Sequence, residues 1–525
     1  MGMLRNNHMR ILLIFSVVFF FLYNCLNFSV PGIFNSPDET ANSVFSTSVA
    51  HETSLTIGLK KDYENLNEFI HPRSTFVQEQ NGDSILPVGF WGMPVFYGVI
   101  GKLVGVNLMI FITSLLAICG VWAFYRITKK IFSEKIAFWA SLLMFFHPVL
   151  WYYTARSMFH NVPFVSLCLI GLWLLIAKPI KKYTWSNDVL GMSIFMTGVL
   201  MRPNEILWIA LCAFVVLLLH RKDILFSRLL MWTCIGLLFV GLYGWLNAVL
   251  YGSSAGSYIS SRSLEIEYWY SFIFPFGIDV KMILKSGWFY FIKMFWWFSI
   301  PALFGFGVFV YDWCKKRLTS AQTTFGIVSV LMSVFLFVYY GSHHDTLFSL
   351  GNIGVAYTRY WLPLFIVDII FIVFGLFWVK EKVSHKKTVG ILGIIFMGIF
   401  FVLSANIVYS GVDGLKSTKN NLIYAQNVQN WVLANTDEGA IIVTDHEDKF
   451  FWPERQVIVR FFDFRVGQAI QTLVENEELV YYFSPHFDDV QRERVDVYLE
   501  RFGLAVEKVE YFDTHQLYTI FIQKE

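Results

Sequence analysis

About eleven predominantly apolar runs, most of them near the length of a membrane span, dominate this 525-residue chain and leave few folds open to it. A helix needs about 20 such residues to cross the hydrocarbon core of a bilayer. The runs lie at roughly 11–30, 104–127, 136–151, 162–178, 188–201, 206–220, 227–250, 288–311, 322–340, 360–379 and 388–409. The third, fifth and sixth are short. Composition agrees, with 56% hydrophobic, 18% aromatic and only 15% charged residues, against about 25% charged in a soluble domain. A soluble multidomain enzyme, a disordered chain and a secreted disulfide scaffold are excluded. The first run follows Arg5 and Arg10 and has no small-residue cleavage site, so it is expected to be a retained anchor rather than a signal peptide.

Charge divides the chain. From Gly411 onward there are 11 Lys and Arg against 20 Asp and Glu, a net charge of −9, whereas the preceding 410 residues carry +11. A basic membrane part and an acidic tail argue for two environments and against nucleic-acid binding. Six cysteines lie in or beside apolar runs with no metal-ligand spacing, so neither a zinc site nor a disulfide framework is indicated.

Lys and Arg in the short loops set the orientation. With the N-terminus inside, one side collects Lys129, Lys130, Lys135, Lys178, Lys181, Lys182, Arg221, Lys222 and Arg228, then Lys315 to Arg317 and Lys380 to Lys387. The long segments 31–103, 251–287, 341–359 and the tail all fall on the other side. A cytoplasmic N-terminus is expected, with the functional surface on the opposite side of the membrane. Segments 38–50 and 88–103 read as helices lying in the interface. In the tail, helix patterns at 421–436, 466–476 and 488–502 alternate with strand patterns at 440–444, 457–462, 479–484, 504–511 and 516–523, which predicts a small α/β domain.

Ionisable residues at the mouths of the spans are the candidates for chemistry. Asp38 and Glu39 sit in SPDETAN (36–42), just after the first span. A carboxylate on an ordered turn there can act as a general base on a hydroxyl, or Asp38 can cap a helix whose start Ser36 and Pro37 signal. Arg156 (in YYTARSMFHN, 152–161), Arg202 (RPNE, 202–205), Arg262 and Arg359 (YTRYWLP, 357–363) face the same side, Arg359 next to Tyr360. Arginines at that depth can bind a phosphate bidentately or snorkel to headgroups. His343, His344 and Asp345 form an HHD string, but adjacent ligands are a weak metal signal; a divalent metal is not favoured and no cofactor is indicated. Asp368 lies inside the tenth span, with Lys293 as a partner suggested by depth alone.

On these residues the chain resembles the GT-C-fold glycosyltransferases that use polyprenyl-phosphate sugars, a group containing protein O-mannosyltransferases, the lipid A aminoarabinose transferase and lipopolysaccharide-core galacturonosyltransferases. The matching segments are PDETAN, GMPVFYGVIGKLVG (92–105), ARSMFHNVPF (155–164), LMRPNEILWI (200–209), TRYWLPLF (358–365) and the tail from 427–444. The chain departs from the family at Met93, which precedes a single proline where two are frequent. It also lacks the WWDYG-like string of the oligosaccharyltransferases.

The resemblance implies a GT-C-like helical membrane domain over 1–410, with a first outer loop at 31–103, and a soluble α/β domain over 411–525. It implies a polyprenyl-phosphate sugar as donor and a glycan, lipid or protein as acceptor, in contact with membrane lipids. Asp38, supported by Glu39, would take the acceptor proton; Arg359, Arg202 and Arg156 would hold the lipid phosphate; His343, His344, Asp345 and Tyr360 would be accessory. Competing readings are a transporter or lipid flippase, which would use Asp368, Lys293 and the arginines as a path, a surface-polysaccharide polymerase or ligase working from a late outer loop, and a scaffold for the tail.

Overall fold

Backbone amides have no water to turn to in hydrocarbon, so the apolar runs must close their hydrogen bonds internally, and helices are the form they take. A computed structural model of the chain describes residues 2–59, 66–77, 84–177, 185–222, 224–252, 273–344, 348, 351–383 and 386–523. It divides into two compact units, one made of Met1–Ser29, Ile110–Trp245 and Ile259–Thr418, the other of Val30–Met109, Leu246–Tyr258 and Lys419–Glu525.

The first unit is helical. Among the described residues six helical segments are long and apolar enough to cross a membrane, or eight if two bent pairs are each one span; shorter apolar helices include Asn7–Tyr23 and Asn161–Ile176. The protein is a multi-pass membrane protein. Its helices carry apolar side chains outward, such as Leu237 and Leu238 at 65% and 67% exposure, which only a lipid surroundings would accept.

Where the sequence pattern runs on, proline interrupts it. The expected third span, 136–151, is two helices, Glu134–Phe146 and Pro148–Ala155, bent by 50° at His147. The fifth and sixth are joined through Pro203 at a 112° bend, with Arg202 at the corner. Pro lacks an N–H and disfavours helix at the preceding residue, so each break falls at X-Pro. The helix expected from 104 starts at Ile112, after a tighter turn over Val106–Phe111.

Charged groups inside this unit are treated in different ways. Arg228 donates from Nε and Nη2 to the two oxygens of Asp188 at 2.9 and 2.6 Å, joining helices Phe226–Tyr251 and Trp185–Met201. Asp368 makes no ion pair with Lys293, which corrects the partner suggested by depth: among the described residues neither has an ionic partner, and Lys293 faces outward. Helices Trp296–Cys314 and Leu362–Lys382 cross at Gly305 and Gly375. A Cβ at Gly305 would fall inside the Phe371 carbonyl oxygen, and one at Gly375 would lie 2.8 Å from the Gly305 Cα. Small residues let two backbones approach this closely.

The second unit combines the long loop that follows the first span and the short segment Leu246–Tyr258 with the tail. Strands β1 (Ile57–Gly58), β2 (Thr75–Val77) and β3 (Ser84–Pro87) form a small antiparallel sheet in the order β1-β3-β2, beside helices Pro37–Glu52 and Gly92–Val104. The two helices match the segments expected at 38–50 and 88–103; the sheet has no counterpart in the sequence reading. In the tail, β4 (Ile441–Val443), β5 (Gln456–Ile458), β6 (Val480–Pro485), β7 (Leu504–Phe512) and β8 (His515–Ile522) pair in the order β5-β4-β6-β8-β7. β4 is parallel to β5 and β6, and β8 is antiparallel to β6 and β7.

Alternation along the strands splits the core in two. Ile441, Val443, Val480 and Tyr482 pack with Ile470, Leu473 and Leu499, and with Ile70 from the long first loop. Ile442, Tyr481 and Phe483 face the other way, against Val428 and Val432 of helix Leu415–Ala434 and against Ala41, Phe45 and Ile85 of the loop. Loop and tail therefore bury apolar surface in the same two cores.

The Gly305 crossing gives a direct test. Gly305→Val should lower thermal stability in detergent by about 1–3 kcal/mol or prevent accumulation, as overpacking does; a melting temperature equal to wild type would mean the helices are not in contact there.

Candidate functional site

In the first unit three arginines gather around shared aromatic rings. Helix Pro148–Ala155 ends at Arg156, whose guanidinium carbon lies 5.7 Å from the Tyr152 ring centre and 5.3 Å from that of Phe159. Its Nη1 donates to the Tyr152 hydroxyl at 2.9 Å. Arg359 shares Phe159, at 4.5 Å, and lies 5.4 Å from both Tyr357 and Tyr360. Arg202 takes up Tyr360 at 5.0 Å. A continuous series of guanidinium and ring thus runs Arg156, Phe159, Arg359, Tyr360, Arg202. Cations over ring faces gain about 0.5–2 kcal/mol each and keep their N–H edges directed elsewhere.

The three arginines are held differently. Arg202 donates from Nε to Glu205 at 2.9 Å and from Nη2 to the Tyr340 hydroxyl at 2.7 Å, while Tyr340 also bonds Glu205. Both members of that pair are buried. Arg202 is thereby committed to Glu205 and Tyr340, and the Tyr340 ring stacks on Tyr360 at 4.8 Å. Arg156 and Arg359 are half-buried.

Arg359 owes its place to a loop that is bonded on every side. The Asp413 carboxylate accepts the backbone N–H groups of Ile353, Gly354 and Val355 at 2.7, 2.7 and 2.8 Å. The Tyr153 hydroxyl lies 3.2 and 3.1 Å from the carbonyls of Ile353 and Gly354. Thr358 donates to the Ile353 carbonyl at 2.7 Å, Tyr290 bonds that of Ala356, and Asn161 donates to that of Arg359 at 3.1 Å. Tyr357 takes a left-handed φ of 53° just before the arginine turn. A loop so fully bonded presents its arginine in one position rather than many.

His343 belongs to the same cluster. It is buried, 4.7 Å from Phe276 and within ring contact of Tyr357 and Tyr360. His344 is exposed, and its Nε2 stands 3.3 Å from Asp279 Oδ2. Asp345 and Arg262 lie outside the described residues. Among the described residues no three His, Cys, Asp or Glu side chains stand at metal-holding spacing.

The second unit holds Asp38 and Glu39. Helix Pro37–Glu52 starts after Ser36, with Pro37 at its first position and Asp38 and Glu39 in its first turn. Asp38 is therefore not the cap itself: it lies two residues beyond it, where the positive end of the helix dipole favours a carboxylate. Ser74 donates to Asp38 Oδ1 at 2.8 Å. Asp38 is half-buried, and Glu39 is 1% exposed.

Nearby, Arg73 is bound to Asp448 of the tail through its backbone N–H and Nε, both at 2.8 Å. Burial pushes His71 below its ordinary value, against the pull of Asp448 and with the help of Arg460. Burial also lowers Lys449, reinforced by Arg73.

Sequence reading found Arg156, Arg202, Arg359, Tyr360 and His343, and the structure brings these together in one unit. It missed the rings that carry them, Tyr153, Phe159 and Tyr357, and the residues that fix them, Asp413 and Glu205. The aromatic density of YYTARSMF was the one available signal. Asp413 had none: it stands in a polar stretch that reads as a linker.

No family model matches the chain, and no curated protein does. Solved structures do. ArnT from Cupriavidus metallidurans in the apo state superimposes with a TM-score of 0.61 at 11% identity, over 99% of this chain and 98% of that one. The same protein bound to undecaprenyl phosphate gives 0.58 at 9% identity over 97% of each chain. The archaeal oligosaccharyltransferase AglB from Archaeoglobus fulgidus, in complex with an inhibitory peptide and a dolichol-phosphate, gives 0.54 at 10% identity, over 91% of this chain and 69% of that one. At such identities the likeness is one of fold, and the chain has the GT-C fold.

If Arg202 and Glu205 hold each other in a buried corner, removing one strands the other. Arg202→Ala should cost about 3 kcal/mol of unfolding free energy in detergent, while Arg202→Met combined with Glu205→Leu should recover most of it. Equal losses in the single and double variants would mean that the pair is not buried as a unit.

Proposed function

We propose that this protein is an integral-membrane glycosyltransferase that moves a sugar from a polyprenyl-phosphate donor to an acceptor hydroxyl on the extracytoplasmic face, with inversion. The observation that carries the reading is the whole-length correspondence of fold with ArnT, a protein also solved with undecaprenyl phosphate bound. The arrangement within each unit supplies groups of the right chemistry. The positive-inside pattern of the short loops supports the choice of face.

Asp38 takes the proton from the acceptor hydroxyl. The freed oxygen attacks the anomeric carbon from the face opposite the phosphate, and the bond from that carbon to the phosphate oxygen breaks. The electron pair leaves with the lipid, which becomes a phosphomonoester carrying one more negative charge than the bound diester. A guanidinium that bonds the phosphate is worth more once that charge has developed, so it lowers the barrier instead of only binding substrate.

Arg359 takes this role, with Arg156 beside it on the Phe159 ring; Arg202 steadies Tyr360 beneath Arg359. Glu39 supports Asp38 or acceptor binding, and His343 with Tyr360 lines the arginine cluster. We assign no metal and no cofactor to the reaction, and the tail is assigned to the outer face with the first outer loop.

The test is sugar transfer from labelled polyprenyl-phosphate sugars in membranes. Asp38→Asn should lower kcat by about 10²–10⁴-fold, the usual worth of a general base. Arg359→Ala should lower it by about 10²–10³-fold, the usual worth of a group stabilising transition-state charge. Both variants should keep wild-type melting behaviour. Full activity in Asp38→Asn would remove the base from this account.

A further inference from the structure

Ser74, the residue that donates to Asp38, has a backbone φ of +64°. That left-handed conformation is uncommon for a serine and persists only where the surroundings impose it. Two contacts do so. On the far side, Val88 N–H bonds the Ser74 carbonyl at 3.0 Å and Thr75 enters β2 opposite Pro87 of β3. On the near side, Arg73 is gripped by the tail.

That grip is unusual in including the main chain. Asp448 is 0% exposed. One of its oxygens accepts the Arg73 backbone N–H at 2.8 Å; the other accepts Nε at 2.8 Å and Nη2 at 2.6 Å. The arginine also reaches His446, through its carbonyl and, at 3.2 Å, its Nδ1. A pair made only by side-chain tips would leave the backbone free to drift. This one fixes the peptide that leads directly into Ser74.

A second link between the same two segments serves as a contrast. Arg465 donates to Glu68 at 2.6 Å, but both side chains are more than half exposed and neither leads to Asp38. It can help hold the loop to the tail and nothing more.

We propose that the C-terminal domain positions the reacting carboxylate: Asp448, by clamping Arg73, holds Ser74 where its hydroxyl orients Asp38 for proton transfer. This rests on the role given to Asp38 above. Asp448, Arg73 and Ser74 are positioning residues, and the acidic tail is then a working part of the transfer site instead of a cover over it. The hydrogen bond from Ser74 orients the carboxylate plane through Oδ1. Misdirecting it should slow the proton transfer without changing how donor or acceptor binds, because small errors in reacting geometry act on rate.

The experiment measures kcat, KM and thermal unfolding on the full-length protein in detergent, with a labelled polyprenyl-phosphate sugar as donor. Ser74→Gly keeps the left-handed backbone, which glycine adopts freely, and removes only the hydroxyl. Its kcat should fall about tenfold or more, as for a lost bond to a charged group, with KM unchanged and melting unchanged or raised. Ser74→Asn, which tolerates the same φ and carries a donor, should recover part of that loss.

Asp448→Asn keeps an acceptor for the Arg73 amide, so it should fold; it should lower kcat, and combined with Ser74→Gly it should cost no more than the worse single change. Glu68→Ala should leave kcat as in wild type. A kcat within twofold of wild type in Ser74→Gly overturns the proposal, as do losses that multiply in the double variant. Full activity in Asp38→Asn removes the base assignment and the positioning role with it, whereas no transfer by the wild-type protein from any polyprenyl-phosphate sugar overturns the function reading itself.

Discussion

Burial of polar groups in a medium without water is the constraint on which this structure depends. It makes the apolar runs helical, and it decides where they break. At His147-Pro148 and Arg202-Pro203 the chain gives up helical bonds that hydrocarbon would not replace. Near the second break, and around the arginine loop, the protein supplies its own partners: Glu205 and Tyr340 for Arg202, and Asp413 for three consecutive backbone amides at Ile353 to Val355. The corner and the loop so stabilised carry the arginines. Irregular backbone in a membrane protein is tolerated where it is satisfied internally or lines a cavity, and function concentrates there.

The same logic distributes charge. Three guanidiniums along two ring faces would repel one another strongly in a medium of low dielectric. One is bonded to a buried carboxylate, and all three lie over aromatic rings whose faces are electronegative. An anion with several oxygens is the ligand such a cluster suits. Asp38 and Glu39 belong to the other unit, where a helix dipole and the Ser74 hydroxyl act on Asp38.

Most of the architecture was legible because it follows from periodicity. The tail's three principal helices and five strands fall within a few residues of the patterns at 421–436 through 516–523, since strands β4, β5 and β6 are mainly apolar runs buried on both faces and each helix shows its apolar stripe. The exact ends of the spans were not, because an apolar run does not reveal that Pro148 or Pro203 divides it by bending and not by ending it. The short sheet of β1 to β3 was invisible: its strands are two to four residues long and are fixed by pairing partners up to about 30 residues away. Candidate charged residues could be named from their places at span mouths. Their supports could not, because Asp413, Ser74 and Asp448 act through contacts 36 to 375 residues distant, which no local pattern encodes.

The central claim is that the sugar is cut from its lipid phosphate here and not carried across the bilayer intact. The most direct measurement reconstitutes the wild-type protein in liposomes with a polyprenyl-phosphate sugar of known anomeric configuration and a pool of candidate acceptors. Both lipid and sugar products are then followed. The account predicts release of polyprenyl monophosphate in equal amount to sugar transferred, with the opposite anomeric configuration in the product. Movement of the intact lipid-linked sugar between leaflets, with no monophosphate released, would contradict it.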